Sequence, residues 1–154
     1  MNINQKRGLR QRDPLSPYFF VICMEYLSSL ILEKVECGKW EGIKASPNGP
    51  VIYHLFFVDD LMLFAKVDRS NCATMLDVLG EFCCKSGQAI NFTKSKIFFS
   101  SNTTRRERLT ISFQSGLCMT ENLSMYLGIP LIHGRRSANT YNYIVERMRK
   151  KLSG

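Results

Sequence analysis

Residues 51–65 read V-I-Y-H-L-F-F-V-D-D-L-M-L-F-A, which are two short apolar runs on either side of adjacent aspartates. The runs, residues 51–57 and 61–65, are rich in the aliphatic and aromatic residues that favour β-strands. Because so few residues separate them, we predict a tight β-hairpin with Asp59 and Asp60 at its tip. Since both strands are apolar, we expect a buried sheet that supports the two carboxylates rigidly.

Helical signals flank this hairpin on both sides. Ser16 and Pro17 predict a helix start, and apolar residues recurring every three or four positions extend that helix to about Glu36. Downstream, Ser70 is predicted to cap a second helix, which Gly87 ends. The other predicted elements are a turn region at 38–50, a strand at 97–100, a weaker helix at 104–114, an edge strand or tight hairpin at 125–132, and a basic amphipathic helix at 138–152. The expected fold class is α+β, with helices packed on one face of a small antiparallel sheet.

The composition is that of a globular domain. The chain has 154 residues, of which 45% are hydrophobic and 22% charged, so it is long and apolar enough to bury a core. No apolar run approaches the roughly 20 residues of a membrane span, so we expect no membrane association. The six cysteines include no C-x-x-C pair and lie far from both histidines, which argues against zinc and suits a reducing, intracellular compartment.

Positive charge is concentrated near the two ends of the chain. The formal net charge is +8, which fits either a soluble basic protein or a protein whose partner carries many phosphates. The residues concerned are Lys6, Arg7, Arg10 and Arg12 at the front, and Arg135, Arg136, Arg147, Arg149, Lys150 and Lys151 at the back. Charge alone leaves the two interpretations equally open.

The paired aspartates also allow two interpretations. Adjacent acids at a turn are most often ordinary turn residues. Here, however, they follow a wholly apolar strand in a basic protein, and no Gly or Asn eases the turn. Magnesium takes oxygen ligands and is commonly held by one or two carboxylates together with substrate phosphates. In phosphoryl transfer two such ions about 4 Å apart hold the attacking and leaving oxygens, so one hairpin supplies only part of the site.

Four segments, in order, resemble the reverse transcriptase domain of plant non-LTR (LINE-type) retrotransposons. R-G-L-R-Q-R-D-P-L-S-P at 7–17 is similar to motif B, and F-V-D-D at 57–60 to motif C. S-G-Q-A-I-N-F-T-K-S-K at 86–96 resembles motif D, and Y-L-G-I-P-L at 126–131 resembles motif E. The resemblance implies a partial polymerase palm at residues 1–134 and the start of a thumb or connection helix at 135–154.

The resemblance also assigns roles to individual residues. Asp59 and Asp60 would be the catalytic residues that bind Mg²⁺, with Asp60 the less central of the two. Lys94 would lie near the leaving pyrophosphate. The residues expected at the nucleotide and template are Arg7, Gly8, Gln11, Asp13 and Pro14, and those expected to hold the primer end are Tyr126, Leu127 and Gly128. For the loop with Arg7 to Pro14, the alternative is a turn that leads into the first helix. For Lys94 it is an ordinary exposed lysine, and for Tyr126, Leu127 and Gly128 it is a plain packing strand. The basic final helix could face either duplex phosphates or solvent.

Two departures from the family pattern bear on activity. Arg12 stands where the family has glycine, which should impair nucleotide binding because arginine restricts positive φ. Val58 replaces a usual alanine and should be tolerated. Motif A, which carries the partner aspartate and a strand of the palm, would lie before residue 1. Neither Asp13 nor the helical acids Asp68 and Asp77 are expected to replace it.

The expected function is therefore that of a fragment of an RNA-directed DNA polymerase, with an RNA template and a DNA primer as partners. We expect it to be inactive alone, unless another chain supplies the missing half of the palm and the fingers. The alternatives are a non-catalytic, basic nucleic-acid-binding remnant and a relic reading frame without a selected role. We expect an intracellular location in the nucleus, with an organelle as the alternative.

Overall fold

The computed structural model describes most of the chain. The described residues are 13–57, 60–121, 125–126, 129–130 and 142–152. The helices among them are α1 (Ser16–Glu36), α2 (Arg69–Ser86), α3 (Arg105–Ser115) and α4 (Asn142–Leu152). The strands are β1 (Ile43–Lys44), β2 (Val51–Ile52), β3 (His54–Phe57), β4 (Asp60–Leu63), β5 (Lys96–Phe98), β6 (Cys118–Thr120), β7 (Met125–Tyr126) and β8 (Ile129–Pro130). The chain divides into two compact units, Met1–Met119 and Thr120–Gly154.

The predicted α+β class is confirmed, but the strands are distributed differently from the single sheet expected. Within the described residues they form separate two-stranded pairs, β1–β2, β3–β4, β5–β6 and β7–β8. Each of these strands is at most four residues long and pairs with one described neighbour. The predicted boundary after residue 134 lies outside the described residues. None of the helices in the described part is long and apolar enough to cross a bilayer.

The central hairpin is confirmed with shifted ends. His54 pairs with Leu63 and Phe57 with Asp60, in antiparallel register. Val51 and Ile52, predicted as part of the same strand, instead pair with β1, which lies in the region predicted as turn. Gly42 allows this approach, because a Cβ at that position would lie 2.5 Å from the Tyr53 ring. The prediction missed β1 because that strand is short and lies among turn-forming residues.

The ends of the helices follow local chemistry that the sequence predicted in part. Helix α1 begins at Ser16 and ends at Glu36 as predicted, but Leu15 occupies the capping position and no side chain caps the helix. In α2 the cap is Asp68 rather than Ser70, because the backbone is extended at Asp68 (φ −157°) and its carboxylate accepts a hydrogen bond from the Ser70 amide. Gly87 ends α2 with a positive φ of 70°, as predicted.

The remaining predicted elements are also present. The weaker helix predicted at 104–114 is α3, and the strand predicted at 97–100 is β5, one to two residues earlier. Within the segment predicted at 125–132, β7 and β8 form an antiparallel pair, in which Tyr126 lies opposite Ile129. The last predicted helix is described from Asn142 onwards. Strand β6, the partner of β5, was not predicted.

The main core lies between α1, α2 and the inner side of the central hairpin. It is built on Leu27 and Ile31 of α1, Val78 and Phe82 of α2, and Trp40, all of them buried. The hairpin residues that pack against this core are Tyr53, Phe56, Leu63 and Ala65. Large apolar side chains of this kind contribute roughly 1.5–3 kcal/mol each when they are fully buried. This core is therefore the main source of stability for the first unit.

Two polar contacts fix the register of this core. The Trp40 indole Nε1 donates to the carbonyl oxygen of Phe64, the residue directly after β4, at 2.9 Å, so this enclosed side chain satisfies its only donor. The buried Asn71 amide accepts from the Glu41 backbone N at 2.8 Å and donates to the Lys66 carbonyl at 3.2 Å. Because unpaired polar groups are costly inside a protein, both contacts select one arrangement of α2 and the hairpin.

A smaller cluster holds α3 to α2. Cys72 of α2 packs with Ile111 of α3 and with Phe99, which directly follows β5, and all three are buried. Burial raises the pKa of the Cys72 thiol, which behaves here as a small apolar side chain. Helix α3 starts with a capping box, in which Thr104 and Glu107 each bond to the other's backbone amide.

His54 joins β3 to α1. Its Nε2 lies 3.2 Å from the Ser28 hydroxyl, and its ring stacks on Phe56 with centroids 4.2 Å apart. The other ring nitrogen, Nδ1, is enclosed and has no partner among the described residues. Burial lowers the pKa of His54, while the nearby Glu25 carboxylate acts in the opposite direction. The neutral ring is therefore the form that suits the folded state.

We predict that Thr104→Ala destabilises the first unit by about 1 kcal/mol, because it removes the side chain that caps α3. Thr104→Ser should retain most of the stability, since serine caps equally well. Thr93→Ala, in an exposed turn, is the matched control and should leave the stability unchanged. Urea denaturation followed by circular dichroism measures all three. Equal midpoints for Thr104→Ala and Thr93→Ala would contradict the capping role.

We also predict that the folded state loses stability as the pH falls through the His54 titration. The pKa of His54 is lower in the folded than in the unfolded chain, so the unfolded state binds the proton first. The full stability is present above about pH 6.5, the unfolded pKa of histidine, and is lost as the pH drops through the lower folded value.

Urea midpoints at pH 7.5 and pH 5.5 measure this loss. In His54→Phe the ring nitrogens are absent, so the loss between the two pH values should shrink. Glu25→Gln removes the carboxylate that favours protonation, so the loss should grow. An unchanged pH dependence in His54→Phe would show that this histidine does not govern the acid sensitivity.

Candidate functional site

The site begins at the tip of the β3–β4 hairpin. Phe57 and Asp60 are the last paired residues, and Val58 and Asp59 between them lie outside the described residues. Directly opposed residues share a face of a hairpin, so Asp60 lies on the face of Phe57 and Leu55, away from Phe56, which packs on the core. Asp60 is exposed there. Its carboxylate is thus available at the end of a strand pair whose other face is held rigidly.

Strand β3 of this hairpin lies beside α1. An open cavity of about 250 Å³ between the two elements is lined by Phe20, Val21, Met24, Glu25, Ser28, His54 and Phe56. His54 bonds to Ser28, so β3 is tied to the middle of α1. The hairpin that carries Asp60 is therefore held next to the helix that Asp13 and Pro14 lead into.

Asp13 and Pro14, predicted to contact nucleotide or template, form the turn into α1. The Asp13 carboxylate accepts a hydrogen bond from the Leu15 amide at 2.9 Å, and its backbone carbonyl accepts from the Ser16 amide at 3.0 Å. This is the side-chain turn for which aspartate is suited. Of the other predicted residues of this loop, Arg7, Gly8 and Gln11 lie outside the described residues, as does Arg12.

Lys94 lies in a turn after α2 and is exposed. Its backbone amide bonds to the carbonyl and the side-chain oxygen of Asn91, both at 3.1 Å, which anchors the backbone and leaves the side chain unused. In the described part of the chain the salt bridges are Lys34–Glu33 and Lys66–Glu41, so the Lys94 ammonium has no carboxylate there. Both interpretations of Lys94, an exposed lysine and a cation for a phosphate, are compatible with this placement.

The residues predicted to hold a primer end fall in the second unit. Tyr126 belongs to β7 and pairs with Ile129 of β8. Leu127 and Gly128 lie outside the described residues. The hairpin predicted for this segment is therefore present, while the role of its turn stays a prediction.

The described residues supply part of a donor set for Mg²⁺. The exposed carboxylate of Asp60 offers the hard oxygen donors that magnesium prefers. No group of three or more Asp, Glu, His or Cys side chains suited to a metal occurs among the residues that the structure describes. Asp68 caps α2 and Asp77 lies within it, so neither is on a strand beside the hairpin, as the sequence predicted. A metal at this tip would need Asp59 and a further ligand.

Sequence reasoning missed the contact that orients the hairpin. His54 interrupts an apolar strand, and its partner Ser28 lies on α1, 26 positions away. A single polar residue on the inner face of a buried strand is the only signal the sequence gives, because a polar group placed there needs a partner. Because Ser28 lies 26 positions from His54 in the sequence, their pairing is recognised only in the folded structure.

Two comparisons with known proteins bear on this site. The family described as reverse transcriptase (RNA-dependent DNA polymerase) matches residues 1–131, which include the whole central hairpin and the start of α1. An uncharacterized mitochondrial protein of Arabidopsis thaliana is 52% identical over 58 residues, or 38% of this chain. The matched segment is 48% of the length of that relative.

The family match covers most of the chain and agrees with the acidic tip on a strand pair beside the first helix. An apolar hairpin that ends in two aspartates accounts for the resemblance more specifically than composition or charge could. The chain belongs to the reverse transcriptase family.

Proposed function

We propose that this chain is the motif B to motif E part of a reverse transcriptase from a plant non-LTR (LINE-type) retroelement. In this proposal the chain contributes to RNA-directed DNA synthesis on an RNA template with a DNA primer. The observation that carries the proposal is the exposed carboxylate of Asp60 at the last paired position of an apolar hairpin, which is tied to α1 by the His54–Ser28 bond. In nucleotidyl transfer a catalytic carboxylate must lie close to the bound nucleotide, and the predicted nucleotide-binding loop leads into α1.

Each predicted residue has a distinct task in this proposal. Asp59 and Asp60 hold Mg²⁺, which supplies charge stabilisation to the attacking and leaving oxygens. The loop with Arg7, Gly8, Gln11, Asp13 and Pro14 positions the incoming nucleotide and the template. Lys94 offers a cation toward the leaving pyrophosphate, which is supported by its exposed and unpaired side chain. Tyr126, Leu127 and Gly128 position the primer end.

The apolar surface around the tip supports the proposal that more polymerase sequence completes the palm. Residues 16–24 of α1 carry no charge, yet Tyr18 is 69% exposed and Ile22 is 62% exposed. On the outer face of the hairpin Phe57 is 52% exposed, and the described strands leave both edges of the pair without a neighbour. Such surface is normally covered. We propose that the palm strand with motif A and the fingers cover it, supplied by the same polypeptide or by another chain.

A second function is favoured by one residue. Arg12 stands where the family has glycine, and a nucleic-acid-binding remnant without catalysis would tolerate this change while keeping the net charge of +8. A relic reading frame is the further alternative. For location we propose the nucleus, with an organelle as the alternative; the mitochondrial description of the relative supports the latter.

We predict that the chain alone extends no primer, and that extension appears when a motif A-containing palm and fingers segment is joined to its N-terminus. In the joined protein Asp59→Ala should reduce extension on an RNA template with Mg²⁺ by at least about 100-fold, the scale of losing one charge-stabilising group in a phosphoryl-transfer site. Asp77→Ala removes an exposed carboxylate on α2 and is the matched control. Robust extension that survives Asp59→Ala would overturn the metal-binding role.

A second prediction concerns Arg12 in the same joined protein. Arg12→Gly should lower the KM for the nucleotide about 5- to 30-fold, because a residue other than glycine at positive φ costs about 1–2 kcal/mol. Arg10→Gly, in the same basic loop, removes the same charge and should not lower the KM. Steady-state primer extension at varied nucleotide concentration measures both. Equal KM values for Arg12→Gly and the unsubstituted protein would show that the arginine does not impair binding.

A further inference from the structure

Helix α3 carries an unusual outer face. Ile111 and Ser115 are buried against the rest of the first unit, whereas Phe113 is 92% exposed and Leu109 is 51% exposed. Arg106, Leu109 and Phe113 are spaced by three and four residues, so they form one stripe along the helix. Arg105 lies one turn before Leu109 and borders the same stripe. We call these four residues the α3 stripe.

The arginines of the α3 stripe are free of carboxylates in the described part of the chain. Both are exposed, and the salt bridges in this part involve other residues. Arg108 differs, because its guanidinium bonds to the carbonyls of Thr103 and Ser100 and so serves the fold. Arg105 and Arg106 have no such structural task, so their charge is directed to solvent or to a ligand.

A third arginine extends this positive surface. Arg106 and Arg69, the first residue of α2, line one open cavity of about 400 Å³. Two acids also line it, and both are engaged locally: Asp68 caps α2, and Glu107 bonds to the amide and hydroxyl of Thr104. Those bonds lower the pKa of Glu107, so it stays charged but faces its own helix end. Of the charged side chains at this cavity, the guanidinium groups of Arg69 and Arg106 are the ones without a hydrogen-bond partner among the described residues.

We propose that the α3 stripe binds single-stranded nucleic acid, with phosphates at Arg105, Arg106 and Arg69 and an unpaired base stacked on Phe113. Arginine pairs with phosphate oxygens, and an exposed aromatic ring beside it offers a stacking surface for a base. This combination matches a polyanion with flat apolar faces better than it matches a second copy of a +8 chain, whose arginines would meet arginines across a two-fold contact. Phosphates and base faces are common to RNA and DNA, so the α3 stripe should bind both.

This surface is separate from the hairpin tip. Helix α3 packs on α2 through Cys72, Phe99 and Ile111, whereas the hairpin packs on the core shared by α1 and α2. Binding here requires neither metal nor Asp59. The inference therefore goes beyond the proposed polymerase role, and the two can fail independently.

Fluorescence anisotropy of the full chain, with labelled single-stranded RNA, single-stranded DNA and duplex DNA in the absence of Mg²⁺, tests the proposal. Arg105→Ala/Arg106→Ala should weaken single-strand binding about tenfold and reduce the salt slope by about 1.4, or about 0.7 for each phosphate contact. Lys39→Ala/Lys44→Ala removes two exposed charges elsewhere and is the matched control, with a smaller loss.

Substitution of the aromatic ring separates stacking from charge. Phe113→Ala should weaken single-strand binding about tenfold, with little effect on duplex, whose bases are already stacked. Phe113→Tyr should restore binding. Because Phe113 is 92% exposed, these variants should fold like the unsubstituted chain, and thermal melts followed by circular dichroism check this.

A photoactivatable pyrimidine in the single strand provides a measurement that needs no variant. Irradiation should cross-link it to the tryptic peptide that contains Phe113. The proposal is overturned if both α3 variants bind as tightly as the control, or if Phe113→Ala weakens duplex and single strand equally. It is also overturned if the chain binds no oligonucleotide but self-associates or binds an acidic peptide through Phe113.

Discussion

The packing of α1 on α2, with Trp40 and the inner face of the β3–β4 hairpin against both, is the contact on which the rest of the structure depends. Two-stranded hairpins have little stability of their own. This one is held because Phe56 and Leu63 join the core of Leu27, Ile31, Val78 and Phe82. Asp60 gains a rigid support because Phe56, one residue before the last paired position of β3, packs on this core. Without that core, the hairpin that carries the carboxylates would have little stability.

Helix α1 passes through two environments. Its C-terminal half, with Leu27, Leu30 and Ile31, is buried, while its first half is equally apolar and largely exposed. The buried contacts of α1 are therefore concentrated in its C-terminal half. The exposed half of α1 and the outer face of the hairpin both present large apolar side chains to solvent. Under the proposed function, further polymerase sequence would cover this surface.

The first unit presents exposed charges of both signs. Asp60 places a negative group at the end of the hairpin, while Arg69, Arg105 and Arg106 place positive groups on the side formed by α2 and α3. A nucleic-acid strand repelled by bare carboxylates could be retained by such arginines. Metal at the tip would then convert a repulsive contact into an attractive one, which is the electrostatic logic of a metal-dependent nucleotidyl transferase.

Local sequence by itself determined the helices, the hairpin and the identity of the acidic tip. The helix ends follow from short-range chemistry, such as Gly87 at positive φ, so they were predictable within one or two residues. The capping residue of α2 was predicted wrongly. The cap is Asp68 rather than Ser70, because the backbone is extended at Asp68. Strand β1 was missed because its pairing with Ile52 depends on Tyr53 approaching Gly42, a contact between separate segments.

Only the tertiary structure decided which residues meet. The bonds from Ser28 to His54, from Trp40 to Phe64 and from Asn71 to Glu41 join residues that are 24 to 30 positions apart. No local pattern encodes such distances, because they arise from how the helices pack. The sequence could name two aspartates as candidate metal ligands and a loop as a candidate nucleotide contact. That the hairpin lies beside α1 follows from the Ser28–His54 bond and from the core that the two elements share, which exist only in the folded chain.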